Sequence, residues 1–279
     1  MKVSLPYGKD EIAADLNRVC CLGILDAAQI AQVADISKAL VEALNNPIGM
    51  GAPLQQRFSP ENSVCIVVSD ASRKTRMEQV LPHLIAWLLD CGISERRISF
   101  LVATGVHRPS TPEEQAGILG KDIFERFCDR VYNHDAYDAG NLIRVGVTCR
   151  GTEVLLNRRA CECEHLILTG SAMPHYFAGF GGGRKALMPG LAGATSIAQN
   201  HVRSLHATEA RLDPRVQICR LDGNPVAEDL LEGALLHPPA FIINTVLNRE
   251  GNIAGLFAGE LDADTVAPAP LQVKFTLYP

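Results

Sequence analysis

The run Val64-Cys-Ile-Val-Val68 is the feature that most constrains this chain. Every position is apolar, and β-branched residues dominate. Its length suits a strand, and it carries no alternation, so it reads as a strand buried on both faces. Such a strand needs parallel neighbours and covering helices. A helical pattern follows over Glu78 to Cys91, apolar at Val80, Leu81, Leu84, Ile85, Leu88 and Leu89 and closed by Gly92. Pro82 restricts its start, because proline is best tolerated in a first turn. A second strand, Ile98 to Ala103, comes next. Strand, helix and strand at this spacing predict a right-handed crossover and a parallel sheet.

The remaining chain extends the pattern. His165 to Thr169 and Phe241 to Leu247 read as further buried strands, with Asn252 to Ala258 as a hairpin partner of the latter. Leu142 to Val147 and Thr152 to Leu156 form short strands around Arg150-Gly151, and Asn157 to Cys163 a short helix. Helices are also expected over Ile36 to Leu44, after Ser110-Thr111-Pro112-Glu113-Glu114, and from Asn224-Pro225 onward. Ala207 to Arg220 reads as a surface excursion, and the first 60 residues are otherwise uninformative. The expected fold is α/β, a mostly parallel sheet flanked by helices in one large domain over residues 1–262, with 263–279 an irregular tail.

Composition narrows the classes of function. With 47% apolar and 20% charged residues in 279, the chain has the make-up of a globular protein, and no apolar run approaches the roughly 18 residues of a membrane span. The net charge of -5, without a basic block, argues against nucleic acid as a partner. The N-terminal residues show neither a secretory nor a transit pattern, and the odd count of nine cysteines suits free thiols, so a cytoplasmic location is expected. Cys161-Glu-Cys163 lacks the wider spacing usual in soft-metal sites.

The polar residues that follow the strands are the candidates for chemistry, because ligands bind at the carboxyl ends of parallel strands. Ser69-Asp70-Ala-Ser-Arg73 follows the first strand, Thr104-Gly-Val-His107-Arg108 the second, and the stretch from Pro174 to His201 the third. That last stretch holds His175, Gly181-Gly182-Gly183, Arg184, Lys185 and His201. It fails the P-loop pattern, since counting from Gly179 the sixth and eighth positions are Arg184 and Ala186. Gly181-x-Gly183-x-x-Ala186 matches a dinucleotide fingerprint by letters, but it lies too far from its strand and runs toward Pro189. What remains is a glycine run that lets backbone approach a bulky group, beside a lysine that serves either as an anion contact or as an amine for covalent attachment.

The histidines match no closed zinc site, so a metal here would need a non-protein donor. Asp70 and Arg73 read equally as an ion pair at a helix start or as substrate contacts. His134, His165 and His206 read as structural.

Ser69 to Arg73, Ala103 to Arg108, Asn133-His-Asp135, Asn157-Arg158, His175 through Lys185 to Asn200-His201, Asp222-Gly-Asn-Pro225, Val246-Leu-Asn248 and Phe257-Ala-Gly259 together resemble the N-terminal domain of the nickel-dependent lactate racemase family. The resemblance spans about Val64 to Glu260. It implies a racemase or epimerase of a 2-hydroxy acid that works by hydride removal and return through a 2-keto acid. It further implies a nickel-pincer nucleotide, a pyridinium ring with sulfur and carbon donors, held covalently by Lys185 as a thioamide. Gly181, Gly182, Gly183 and Arg184 would lie around it, and His201 would be the protein's nickel ligand. His107 and His175 would be the acid/base pair, each near neutral pKa, with Arg73 clamping the substrate carboxylate and Asp70 orienting Arg73. The implied partners are a small 2-hydroxy acid and the enzymes that make the cofactor.

Two departures accompany the resemblance. Prolines commonly follow the first-motif arginine in the family, where this chain has Lys74-Thr75-Arg76. Full-length members also carry a second domain that closes over the cofactor. Its absence implies a shortened chain or a separate chain supplying that half, and it keeps open an alternative, a cofactor- or substrate-binding module without turnover.

Overall fold

The computed structural model describes residues 2–8, 10–17, 29–237, 239 and 241–261. The expected tail lies outside them. Among the described residues the strands are β1 (Lys2–Tyr7), β2 (Asp10–Asp15), β3 (Val64–Ser69), β4 (Ile98–Ala103), β5 (Val131–Asn133), β6 (Leu142–Val147), β7 (Glu153–Asn157), β8 (His165–Ser171), β9 (Pro174–His175), β10 (Gly179–Phe180), β11 (Phe241–Leu247) and β12 (Ile253–Gly259). The helices are α1 (Ile36–Asn45), α2 (Met77–Asp90), α3 (Pro112–Leu119), α4 (Lys121–Phe127), α5 (Arg158–Glu162), α6 (Ala194–His201) and α7 (Pro225–Leu235).

The central sheet has the order β12-β11-β8-β3-β4-β5. All its pairings are parallel except the hairpin of β11 with β12. The mostly parallel α/β architecture therefore follows the sequence pattern, and β3, the run that first fixed the expectation, is buried along its apolar length and sits centrally. From β3 the chain steps to β4 and β5 on one side, whereas β8 and β11 lie on the other. Strand order thus reverses between β3 and β8, which makes the carboxyl ends of these strands the topological switch point.

Two apolar layers cover the sheet. One packs α1 and α2 against Val64, Ile66, Val68, Phe100 and Ile243. The other packs Val154, Leu156, Leu187, Met188, Leu191, Val226 and Leu230 against Val67, Leu101 and Leu168. The alternation of β3 side chains between these layers explains why no polar residue interrupts the run.

Several local expectations are corrected. Pro82 lies well inside α2, which starts at Met77. An interior proline costs about 3 kcal/mol, yet Leu81, Leu84 and Leu88 on the same helix are fully buried. At about 1.5–3 kcal/mol for each such side chain, burial outweighs the lost hydrogen bond. The N-terminal hairpin β1–β2, helix α4 and the short β5 were not anticipated. The strands β6 and β7 pair with each other outside the main sheet. No helix among the described residues is long and apolar enough to cross a membrane.

Candidate active site

Loops leaving β3, β4 and β8 carry the candidate residues at the carboxyl ends of these strands. The β4 loop and the lysine loop are joined by backbone hydrogen bonds: Gly105 N–H donates to the Gly190 carbonyl at 2.9 Å, and Gly190 N–H to the Lys185 carbonyl at 3.0 Å. His107 and Lys185 are therefore carried by one connected frame.

Asp70 follows β3 and is 7% exposed. Its Oδ2 accepts a 2.7 Å hydrogen bond from His107 Nδ1–H, and its Oδ1 accepts from the Ser72 amide at 2.8 Å. Burial raises the Asp70 pKa, but the bonds from Ser72 and His107 outweigh it and leave the carboxyl below its ordinary value. The Asp70 carboxylate thus orients His107, while the Arg73 amide donates to the Asp70 carbonyl at 3.0 Å. The bond to Asp70 places the His107 proton on Nδ1 and leaves the Nε2 lone pair available. Arg73 is exposed at the rim, near enough for its charge to lower the pKa of both His175 and Lys185.

Phe177 is the hub of the other side. Its ring packs edge-on against His175 at 4.6 Å and against His201 at 4.9 Å between centroids, and Lys185 Nζ lies 5.6 Å from its centre. His175 stacks on Tyr176 at 4.7 Å, and its Nδ1 accepts from the Ala178 and Phe177 amides at 3.2 and 3.4 Å. Burial, then the charge of Lys185 and those of Arg73, His201 and Arg184, push the His175 pKa down to about 3. His175 is thus a neutral imidazole with its proton on Nε2, against the expectation of a near-neutral pKa.

Lys185 is held in the turn after the glycine run. Burial, followed by the charges of Arg73 and Arg184, brings its pKa down to about 7. An amine so desolvated is a nucleophile at neutral pH. His201 ends α6, where its Nδ1–H donates to the Ile197 carbonyl at 2.8 Å. That bond directs the Nε2 lone pair outward, the arrangement found in metal-ligating histidines. Among the described residues no group of three or more His, Cys, Asp or Glu side chains is placed to hold a metal ion.

Gly182, within the glycine run, has a packing role. At Gly182, with φ of +76°, a Cβ would lie 2.6 Å from Asn244 Oδ1 and 3.0 Å from the Ser171 carbonyl. Gly183 N–H donates to the same Asn244 Oδ1 at 3.1 Å. At Gly182 the missing side chain lets the loop press onto β8 and β11. Arg184, 2% exposed, is turned inward and donates to the Ala178 carbonyl at 3.2 Å. Phe177 and Asn244 escaped the sequence reading, because an aromatic in a loop and an asparagine in a strand carry no chemical signature of their own. The available signal for Asn244 was the polar pair Asn244-Thr245 inside the otherwise apolar run Phe241 to Leu247.

Residues 7–213 match the family described as lactate racemase N-terminal domain. The chain is 32% identical over 263 residues to a lactate racemase of Lactiplantibacillus plantarum, covering 94% of this chain and 60% of that protein. It is 31% identical over 259 residues to the lactate racemase of Thermoanaerobacterium thermosaccharolyticum, covering 92% and 59%. The solved lactate racemase apoprotein from T. thermosaccharolyticum superposes with a TM-score of 0.83 at 28% identity, over 99% of this chain and 63% of that one. A Thermotoga maritima protein shares the fold alone, with a TM-score of 0.64 at 22% identity over 86% of this chain and 57% of its own. The chain spans about three-fifths of the length of the lactate racemases it matches. Matched over residues 7–213 and resembling lactate racemases along nearly its whole length, the chain belongs to the lactate racemase family.

Proposed function

We propose that this chain carries the cofactor-binding and proton-transfer half of a nickel-pincer-dependent racemase or epimerase of a small 2-hydroxy acid. The observation that carries the reading is the convergence of Lys185, His201 and His175 on the single ring of Phe177. The residues fit the cofactor: Lys185 offers a buried amine that is half unprotonated near pH 7, and His201 offers an outward imidazole lone pair for a soft, mainly non-protein nickel site. Once attached through Lys185, a nickel-pincer nucleotide would supply the hydride acceptor and the remaining metal donors.

The chain's own residues do the rest. His107, with Nδ1–H anchored on Asp70, takes the substrate hydroxyl proton at Nε2. His175 presents Nε2–H from the other loop and donates a hydrogen bond to the substrate oxygen. For His175 to act as base toward the opposite enantiomer, its pKa must rise. Amide formation at Lys185 favours this by removing the largest single charge that depresses it. Arg73, at the rim, is placed to attract a carboxylate.

The test is co-expression with the cofactor-making enzymes, followed by intact mass and nickel content. A mass increase located at Lys185, with nickel lost in a His201→Ala variant, supports the reading. Well-folded protein with unmodified Lys185 and no nickel overturns it. Racemisation measured on the loaded chain then separates turnover from binding alone.

A further inference from the structure

The segment Asn133-His134 plays no part in the chemistry above, yet it touches both halves of the site. Asn133 ends β5, and its side chain makes a paired contact with Ser110: Oδ1 accepts from the Ser110 amide and Nδ2 donates to the Ser110 carbonyl, both at 3.0 Å. The His134 carbonyl accepts from Thr104 Oγ1 at 2.7 Å. The loop bearing His107 is therefore clamped at both ends, at Thr104 and at Ser110, by two consecutive residues of one strand end.

The His134 ring points the other way and is 1% exposed. Its Nε2–H donates to the Ala192 carbonyl at 3.0 Å, and its Nδ1 accepts from Asn157 Nδ2 at 3.1 Å. Ala192 lies at the close of the lysine loop, where its own amide donates to the Pro189 carbonyl and the Leu191 amide to the Leu187 carbonyl. Burial lowers the His134 pKa. Both ring nitrogens are engaged in neutral bonds, a state in which the ring serves as a fixed spacer and not a proton carrier.

We propose that Asn133 and His134 are positioning residues that hold the proton-transfer loop and the lysine loop in mutual register. Asn133 is the arm toward His107, and the His134 ring is the arm toward Lys185. The meaning of this inference rests on the racemase reading, but its test does not: both readouts are taken on the chain without cofactor, so its failure and the failure of that reading are separate results.

The test compares Asn133→Ala, Asn133→Asp and His134→Gln with the parent chain. Solvent exchange of the His107 imidazole proton is followed by NMR, and the pH midpoint of Lys185 acylation by peptide mass spectrometry. Thermal melts check folding. Asn133→Ala is expected to speed His107 proton exchange by about tenfold, as loss of two hydrogen bonds implies, and to leave the Lys185 midpoint in place. Asn133→Asp, which keeps the acceptor and loses the donor, should fall between and serves if the alanine variant misfolds. His134→Gln should move the Lys185 midpoint upward and leave His107 exchange unchanged. If both readouts move together in every variant, or if melting temperature falls and neither readout moves, the residues are ordinary packing and the proposal is overturned.

Discussion

An ordinary lysine, with a pKa of about 10.4, is free amine to about 0.04% at pH 7. With its pKa brought down to about 7, Lys185 is half free amine at that pH, a gain of about a thousandfold in the reactive form. A less basic amine is also a weaker nucleophile, and a Brønsted slope near 0.5, as for thiols, returns about fiftyfold of that gain. The net expectation is acylation of Lys185 about twenty times faster at pH 7 than that of an unperturbed lysine with equal access. The assay is brief treatment with acetic anhydride across pH 5 to 10, read by peptide mass spectrometry, with the exposed Lys121 as internal reference. Access changes the plateau and leaves the midpoint alone, so the midpoint is the decisive quantity. It should lie near pH 7 for Lys185. Arg73→Ala removes one of the charges that depress the amine and should move the midpoint up. A Lys185 rate that climbs in parallel with Lys121 through pH 9, or a midpoint indifferent to Arg73→Ala, refutes the reasoning.

Three other outcomes are expected. Gly182→Ala places a methyl against Asn244 and Ser171 at a glycine-only backbone conformation, and should cost about 2–5 kcal/mol in urea melts; Gly151→Ala, at φ of +79° with open space around it, should cost about 1 kcal/mol. His175 binds its proton less readily folded than unfolded, so the unfolded state holds more protons between pH about 3 and about 6.5. Stability should therefore fall as pH drops through that window, and His175→Gln should flatten the slope of melting temperature against pH. Asp70→Asn weakens the charge-assisted bond to His107, worth about 1.5–3 kcal/mol, and should shift the His107 Nδ1 proton resonance upfield; an unchanged resonance would show that Asp70 does not orient the ring.

Much of the fold was legible because burial leaves a local trace. Val64 to Val68, Ile98 to Ala103 and Phe241 to Leu247 are mostly apolar because each is covered on both faces, and the covering can be read from those residues alone. The hairpin Lys2–Tyr7 with Asp10–Asp15 left no such trace, since its residues are mostly exposed. At the candidate site, His107, His175, Lys185 and His201 stood out by chemistry, and His107 and His175 also by their places after strands.

Which partner each residue takes was decided only by tertiary structure. Asp70 has Arg73 three residues away but bonds His107, 37 residues on, because β3 and β4 are neighbours and bring their carboxyl ends together. His134, which by itself reads as a packed histidine, proves to reach Ala192 across 58 residues. The need for glycine at position 182 comes from Asn244 and Ser171, which a side chain there would meet. Sequence by itself determined the kinds of groups available and the strand ends from which they emerge. Burial depth, charge neighbours and hydrogen-bond partners set protonation and direction, and these exist only once distant strands lie side by side.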